Sequence, residues 1–591
     1  MAPEWQKWFV ITLIALLVIS LIFDRIKPHI LFVGSVFLLL LTGIMTPSVL
    51  LQSFSNESII TIFILVWITA AINKNFNILK KLDHFFTKKQ NPNIFVAQLT
   101  AMVSGVSAFV NNTPIVALML PYVLRWSKRM NVAPSKLLIP LSYAALTGGM
   151  ITVIGTSTNL VLNGFIESSG MQMLTFRDFI IPGLLVSIGG MLLLSTLGVF
   201  ILPQRENPLQ QVQENLKEYL VEVQVAAQSP FHGQTIQQAG LRNLQSVYLA
   251  EILRGEKIIS AVSPDQKIFA GDRLFFAGDT KDIFEIIKED GGLAFSKTDQ
   301  YQFDADINIV EAMIPYNSNL VGKTLKESNF RQVYDAAVVA LHRKGERLRG
   351  KLGEIRLMAG DILMLTAGSR FEQNVSQDND LYSIGIKDHV KKTTSIQAKV
   401  LAVVSIVFLA LYFLDILPFF VSLIAILGAF LGFGLFSSND LKKEFNLNLF
   451  LILGSALAIG QMFIATGGAK WVADGAMQIF SIYGNLGTLL GVFFLAVLFT
   501  QFVTNTAALS IVYPVVFEIA KTVTFDPNAL FLALAFGASC SFITPFGYQT
   551  NLMIYGPGGY KFMDFVRIGL PMTLVYSLLA LGWLIFKFQI I

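Results

Sequence analysis

Two short polar runs interrupt strongly apolar stretches: Asn111-Asn112-Thr113 in FVNNTPIVALMLP (109–121) and Thr504-Asn505-Thr506 in FVTNTAALSIVYP (502–514). Setting Asn112 on Asn505 puts Pro121 on Pro514, nine residues on in both copies, and Ser107 on Thr500, five residues before. Downstream, GTSTNLVLNG (155–164) and TPFGYQTNLMIYG (544–556) carry polar breaks that end in Thr158-Asn159 and Thr550-Asn551. Breaks of this kind leave backbone N–H and C=O groups without intrahelical partners. Freed N–H groups at a helix N-terminus suit an anion. Freed carbonyls, with Asn, Ser and Thr oxygens, suit a hard cation such as Na⁺. An Asn side chain both accepts and donates, so Asn112 and Asn505 are able to touch a cation and an anion together.

The absences constrain the chemistry further. Segments 94–124, 138–165, 486–517 and 528–560 contain no Lys, Arg, Asp or Glu. A dianion among neutral groups in an apolar setting needs cations to enter with it. A proton relay would need a membrane carboxylate or His. No nucleophile–base constellation or metal cluster argues for an enzyme, and the single Cys540 excludes an internal disulfide.

The surrounding chain must place these groups in a membrane. Of 591 residues, 54% are hydrophobic and 14% charged, which is too apolar for a soluble protein of this size. Segments 7–23, 30–48, 179–202, 396–414, 417–436 and 566–586 are long enough to span a bilayer. Segments 58–73, 137–166, 445–465 and 528–555 are apolar but interrupted. The first span is too long for a cleaved signal peptide and has no small-residue cleavage site after it. The net charge of +5 does not indicate a nucleic-acid partner. The placement of the basic residues is more informative, because Lys and Arg collect in cytoplasmic loops. Arg25, Lys27, Lys74, Lys80, Lys81, Lys88, Lys89, Arg125, Lys128, Arg129, Lys136, Lys391, Lys392, Lys442, Lys443 and Lys561 mark those loops, while 49–57 has none. The N-terminus is therefore expected outside the cell (inner) membrane. Both flanks of the hairpin at about 92–124 then fall on the cytoplasmic side, so it is expected to be re-entrant.

The fold expected is an all-α polytopic membrane protein of two inverted repeats, 1–203 and 396–591. Each repeat has three spans, a re-entrant hairpin (about 92–124 and 486–518), a broken helix (about 137–166 and 528–556) and a final span. Inverted repeats with discontinuous helices, and a site at the midplane between them, are the pattern of secondary transporters.

Residues 204–395 form a charged insert with no spanning segment, expected in the cytoplasm. FHGQTIQQAGLRN (231–243) matches LVGKTLKESNFRQ (320–332), and FAGDRLFFAG (269–278) matches MAGDILMLTAG (358–368), in both cases 89 residues on. Two αβ modules follow, 204–300 and 301–395, with Asp272 and Asp361 as turn residues. No GxGxxG motif supports dinucleotide binding. A small regulatory ligand between the modules, or a structural dimer contact, fits the pair.

At these motifs the sequence resembles the divalent anion/Na⁺ symporter family (SLC13-type, within the ion transporter superfamily), which carries two Ser-Asn-Thr motifs at two hairpin tips. Both copies here depart from Ser at the first position and keep Asn and Thr. The insert resembles a pair of TrkA-C (RCK-C) modules. The run TPFGYQTNLMIYGPGGYKFMDFVRIGLP (544–571) resembles the C-terminal signature of the sulfate-transporter-like branch that carries such inserts. The resemblance implies a first sodium site at Ser107, Asn111, Asn112 and the Gly155 region. It implies a second at Thr500, Asn505, the Val503 carbonyl and the Gly547 region. The anion would meet Asn112, Thr113, Asn505 and Thr506, with Tyr548 and Gln549 nearby. Na⁺ as the co-transported ion, homodimers in the lipid bilayer and an elevator-type motion are implied in the same way. Where related dicarboxylate carriers have Thr-Pro-Pro, this chain has Tyr548-Gln549-Thr550, which favours a tetrahedral oxyanion such as sulfate. A dicarboxylate or citrate carrier is the alternative, because neutral donors suit a carboxylate equally. A cation channel gated by the modules is more remote, since no TVGYG-like filter is present.

Overall fold

The computed structural model describes the chain apart from residues 1–2, 24–25, 76–85, 87–90, 206–219, 242–246, 256, 261, 263–264, 279–292, 296–308, 315–317, 344–345, 349–351, 359, 369, 372–373, 376–379, 384–394, 415 and 591. Arg25, Lys80, Lys81, Lys88, Lys89, Lys391, Lys392 and the junction at 300–301 lie outside the described residues.

The protein is mostly helical and polytopic. Helices α1 (Glu4–Phe23), α2 (Pro28–Leu41), α3 (Pro47–Phe54) and α4 (Glu57–Asn75) lead to a helical pair, α5 (Pro92–Ser107) and α6 (Asn112–Met130). Then come α7 (Leu138–Gly149), α8 (Ser157–Ser168) and α9 (Phe176–Leu193). After the insert the same order returns. Helices α10 (Ser395–Phe413), α11 (Phe419–Gly432), α12 (Ser438–Glu444), α13 (Leu447–Ala465) and α14 (Gly468–Phe480) precede the pair α15 (Gly484–Thr500) and α16 (Asn505–Ala520). Helices α17 (Asn528–Ala538), α18 (Gln549–Tyr555) and α19 (Phe562–Phe588) close the chain. Among the described residues, six stretches are long and apolar enough to cross a membrane: Glu4–Leu21, Pro47–Ile72, Phe176–Ile201, Leu447–Ala465, Gly468–Thr500 and Phe562–Phe588.

Two expected spans, 30–48 and 417–436, form shorter helices. α2 and α11 have 14 residues each, roughly 21 Å at 1.5 Å per residue, against a hydrocarbon core of about 30 Å. Each is stopped by a glycine in the left-handed region, Gly43 at φ 70° and Gly434 at φ 68°, a conformation that other residues adopt only at a cost.

Local signals start the helices where they are needed. The Asn91 side chain accepts from the backbone N–H groups of Asn93 and Ile94, with Pro92 in the first turn of α5. Asn446 caps α13 by accepting from Leu449 N. The breaks inside the apolar segments fall at 150–156 and 539–548, between α7 and α8 and between α17 and α18. The helices pack in two groups. α5–α9 and α15–α19 pack largely on one another, while α1–α4, α10, α11 and α13 form a second group that meets the first along α4–α8 and α13–α16.

The insert holds two five-stranded antiparallel sheets. The first is β1 (Leu220–Val225), β2 (Val247–Arg254), β3 (Lys257–Ser260), β4 (Arg273–Gly278) and β5 (Leu293–Phe295), ordered β3-β2-β4-β1-β5. The second is β6 (Ile309–Met313), β7 (Ala336–Arg343), β8 (Glu346–Arg347), β9 (Ile362–Ala367) and β10 (Tyr382–Ser383), ordered β10-β6-β9-β7-β8. Each strand starts 89 residues after its counterpart, and even the register shift at Leu249/Glu251 returns at Val338/Ala340. Each sheet has its own apolar core.

Asp272 and Asp361 do more than turn the chain. Both are buried, and both accept two hydrogen bonds at 2.8 Å from a guanidinium, Arg254 and Arg343 respectively.

Candidate functional site

The turn between α5 and α6 brings Ser107 against Asn112. The Ser107 Oγ lies 2.7 Å from Asn112 Oδ1 and 2.9 Å from the Ala145 carbonyl of α7. The second copy repeats this, with Thr500 Oγ1 at 2.8 Å from Asn505 Oδ1 and 2.7 Å from the Ala538 carbonyl. All four of these polar side chains are buried. A hydroxyl has one proton, and at each site it faces two acceptor oxygens. Three oxygens therefore converge on one hydrogen, and the surplus acceptor capacity suits a small hard cation.

Backbone oxygens complete each cluster. A Cβ placed on Gly155 would stand 2.7 Å from the Ser107 carbonyl oxygen and 2.6 Å from that of Gly149. One placed on Gly149 would stand 2.6 Å from Asn112 Oδ1. At the second site a Cβ on Gly547 would stand 2.7 Å from the Thr500 carbonyl oxygen. The two broken segments are held alike. Thr152 donates to the Ala108 carbonyl and accepts from Gly155 N at 3.0 Å. Thr544 donates to the Gln501 carbonyl at 3.0 Å and accepts from Gly547 N at 3.2 Å. Asn159 and Asn551 brace the breaks by donating to the carbonyls of Thr152 and Thr544.

Between the clusters, the tip of the first helical pair meets the second break. Asn112 Nδ2 donates to the Tyr548 hydroxyl at 2.8 Å, and Thr113 Oγ1 donates to Gln549 Oε1 at 3.2 Å. The Tyr548 bond fixes the Asn112 amide so that its oxygen faces Ser107. Thr156, the counterpart of Tyr548 at the first break, is buried and caps α8 by accepting from Thr158 N at 3.4 Å. Ser142 on α7 ties the two halves again, contacting Thr550 Oγ1 and Asn551 Oδ1 at 2.7 Å each. The arrangement offers amide and hydroxyl donors, with no fixed charge among the residues named here, beside two oxygen clusters. Among the described residues no group of three or more His, Cys, Asp or Glu converges.

Most of the residues singled out in the sequence fall here: Ser107, Asn112, Thr113, Gly155, Thr500, Asn505, Gly547, Tyr548 and Gln549. Val503 is buried in the second turn, two residues before Asn505. Thr506, the second residue of α16, lies beside the N-cap Thr504, hydroxyl to hydroxyl at 3.5 Å. Asn111 precedes Asn112 at the start of α6. It lines a small cavity with Ile62, Leu65, Val66, Thr69 and Ile154, against α4. Thr156 and Ser142 were not among the expected site residues. Thr156 was signalled by its place with Ser157 and Thr158 in the polar break at 155–164 and by its register with Tyr548, and Ser142 had no signal.

A polytopic helical bundle with polar groups at two matched helix breaks is the architecture of a membrane transporter, and the family and relatives that the chain resembles are transporters, not enzymes. The chain belongs to the citrate transporter family (CitMHS), whose profile matches residues 5–509 and 417–590. It is 31% identical over 570 residues to a Chlamydomonas reinhardtii protein named as a sulfur deprivation response regulator, covering 93% of this chain and 97% of that one. It is 30% identical over 565 residues to an uncharacterized transporter of Synechocystis, covering 92% and 90%. Sodium/sulfate cotransporter 1 of Chlamydomonas reinhardtii is 27% identical over 433 residues, covering 68% of this chain and 48% of that one.

Proposed function

We propose that this protein is a Na⁺-coupled symporter of a divalent anion, with sulfate as the favoured substrate. The observation that carries the reading is the duplicated cluster of Ser107, Asn112 and Ala145 and of Thr500, Asn505 and Ala538. Each cluster holds more acceptor oxygen than hydrogen. Na⁺ binds there, and the two cations supply the positive charge that the donors around Asn112, Thr113, Thr156, Asn505, Thr506, Tyr548 and Gln549 lack. Sulfate stays a dianion at neutral pH and is met by neutral donors and helix N-termini. The sodium/sulfate names of several relatives support both ions.

In this reading 1–203 and 396–591 are inverted repeats. The α5/α6 and α15/α16 pairs enter the bilayer from opposite sides and return. The group α5–α9 with α15–α19 slides against the group around α4 and α13, in a homodimer. The insert, two TrkA-C-like modules, lies in the cytoplasm, and the N-terminus lies outside.

The test is uptake of labelled sulfate into proteoliposomes under an imposed Na⁺ gradient, with K⁺ and proton gradients as controls. Uptake that requires Na⁺ and falls at least tenfold in Asn505→Ala is the expected outcome. Citrate or dicarboxylate uptake under the same gradient, with none of sulfate, would keep the coupling and replace the substrate. The family's name favours that second reading.

A further inference from the structure

The two sheets of the insert descend from one pattern, and where they diverge marks a contact. In the first module, Glu222 and Gln224 on β1 and Arg273 on β4 share one face of the sheet. Arg273 binds Glu222 through two hydrogen bonds at 2.5 and 2.7 Å, and Gln224 is exposed. In the second module the same three positions, each 89 residues on, are Glu311, Met313 and Ile362. The ion pair has lost its arginine to an isoleucine, and the exposed amide has become a buried methionine. Alternate residues of a strand face opposite sides. Val310 and Ala312 point into the module's own core, while Met313, on the other face, joins the apolar core of the membrane helices.

The partner of that face is the end of α18. A Cβ on Gly556 would stand 2.9 Å from the Gly360 carbonyl oxygen and 3.4 Å from Ile362 Cδ1. A Cβ on Gly360 would stand 3.5 Å from the Leu552 carbonyl oxygen. The equivalent glycine of the first module, Gly271, has nothing within 4 Å. The docking turn is stiff, because Asp361 is clamped by Arg343 and accepts from Met358 N at 2.7 Å. α18 has only seven residues, about 10 Å, and its first residue is Gln549. The docked turn therefore sits one short helix behind Tyr548 and Gln549.

The ends of the insert attach to different helix groups. At its start, Arg205 binds Asp564 of α19 through two hydrogen bonds at 3.0 and 3.2 Å and donates its N–H to Ser135 Oγ at 3.0 Å. Tyr560 donates to the Ser135 carbonyl at 2.6 Å. At its far end the chain passes into α10, which packs on α11 and through it on α4.

We propose that the face formed by Met313, Gly360 and Ile362 is a brake: docked on Leu552–Gly556, it holds the helix break that carries Tyr548 and Gln549 against the other helix group. This rests on the transport reading above. Releasing the face frees the break to move, which raises turnover and leaves anion affinity unchanged.

Two variants attack the contact from opposite sides. Ile362→Glu buries an unpaired charge in it. Gly556→Ala crowds the Gly360 carbonyl from the membrane side and leaves the module intact, so it stays informative if Ile362→Glu misfolds; Gly556 has helical φ and ψ, which alanine adopts freely. Two readouts are taken: Na⁺-driven uptake of sulfate and of citrate, and amide hydrogen exchange of residues 552–560. The expected result is faster exchange at 552–560 and a maximal uptake rate raised roughly fivefold, with KM unchanged. Unchanged exchange in both variants, or a maximal rate equal to that of the unmodified protein, overturns the brake. If the unmodified protein takes up neither anion, the transport reading fails on its own, and the exchange measurement still decides whether the face holds this segment.

Discussion

Tyr548 is the residue on which the two halves of the site meet. Its hydroxyl receives the Asn112 amide at 2.8 Å, so it holds Asn112 with its oxygen toward Ser107. Tyr548→Phe removes that oxygen and little else. Losing a hydrogen bond of this kind costs about 1 kcal/mol. Because the proposed function has Asn112 serve both the cation cluster and the anion side, two constants should move together. The expected outcome is a KM for the anion and a half-saturating Na⁺ concentration each raised roughly fivefold, read from uptake at fixed and varied Na⁺. A change in the anion constant alone would separate Tyr548 from the cation cluster. Sequence pattern singled out Asn112, Asn505, Ser107 and Thr500 because the two runs align residue by residue. It could not reach the Ala145, Gly149 and Ala538 carbonyls, since every residue has a carbonyl and only the fold selects one. Thr156 stands with Ser157 and Thr158 at the polar break, but the pattern alone does not place it in the site, because a Ser or Thr there can also bond back to its own helix.

At the scale of elements, the insert is where duplication and divergence are both visible. The 89-residue offset was legible in the Gly-Asp turns, but the role of those aspartates was not. Their partners Arg254 and Arg343 lie 18 residues earlier in sequence, across a register that only strand pairing defines. Likewise no sequence signal shortened α2 and α11, because Gly43 and Gly434 read as tolerated glycines within apolar runs. The exchange of Arg273 for Ile362 has a consequence in pH. Glu311 has no guanidinium where Glu222 has one. Burial pushes its carboxyl up from the ordinary 4.5 to about 7, while the Lys128 charge at the end of α6 pulls it down. A raised carboxyl means that the docked face favours the protonated form. Its contribution to docking is full below about 4.5 and is lost as pH rises through about 7. Maximal sulfate uptake should therefore rise across that window in the unmodified protein. In Glu311→Gln the rise should be absent and uptake should stay at the low, docked level. Sulfate is the anion to use, because its own charge is constant there. An identical pH profile in Glu311→Gln would remove the carboxyl from the account.

For the whole molecule, the repetition of the clusters matters more than either one. Ser107, Asn112, Ala145 and Gly155 recur as Thr500, Asn505, Ala538 and Gly547, with matching distances, though the segments carrying them share few other residues. In the function proposed above, the two clusters are cation sites on either side of one anion site, and each cation lowers the cost of bringing a dianion among neutral donors. Binding at one cluster then favours the anion, and the anion favours the second cation, by the reciprocity that links any two ligands. Na⁺ dependence of uptake should be sigmoidal, with a Hill coefficient above one. Ser107→Ala and Thr500→Val each remove the one hydroxyl of a cluster, one on each side. Each should bring the coefficient down toward one and raise the half-saturating Na⁺ about tenfold. Parallel effects of two changes nearly 400 residues apart in sequence would be hard to obtain unless both sites are filled in every cycle. A hyperbolic Na⁺ curve in the unmodified protein, or a Thr500→Val variant with unaltered Na⁺ dependence, would leave one cluster as packing and the symmetry as ancestry alone.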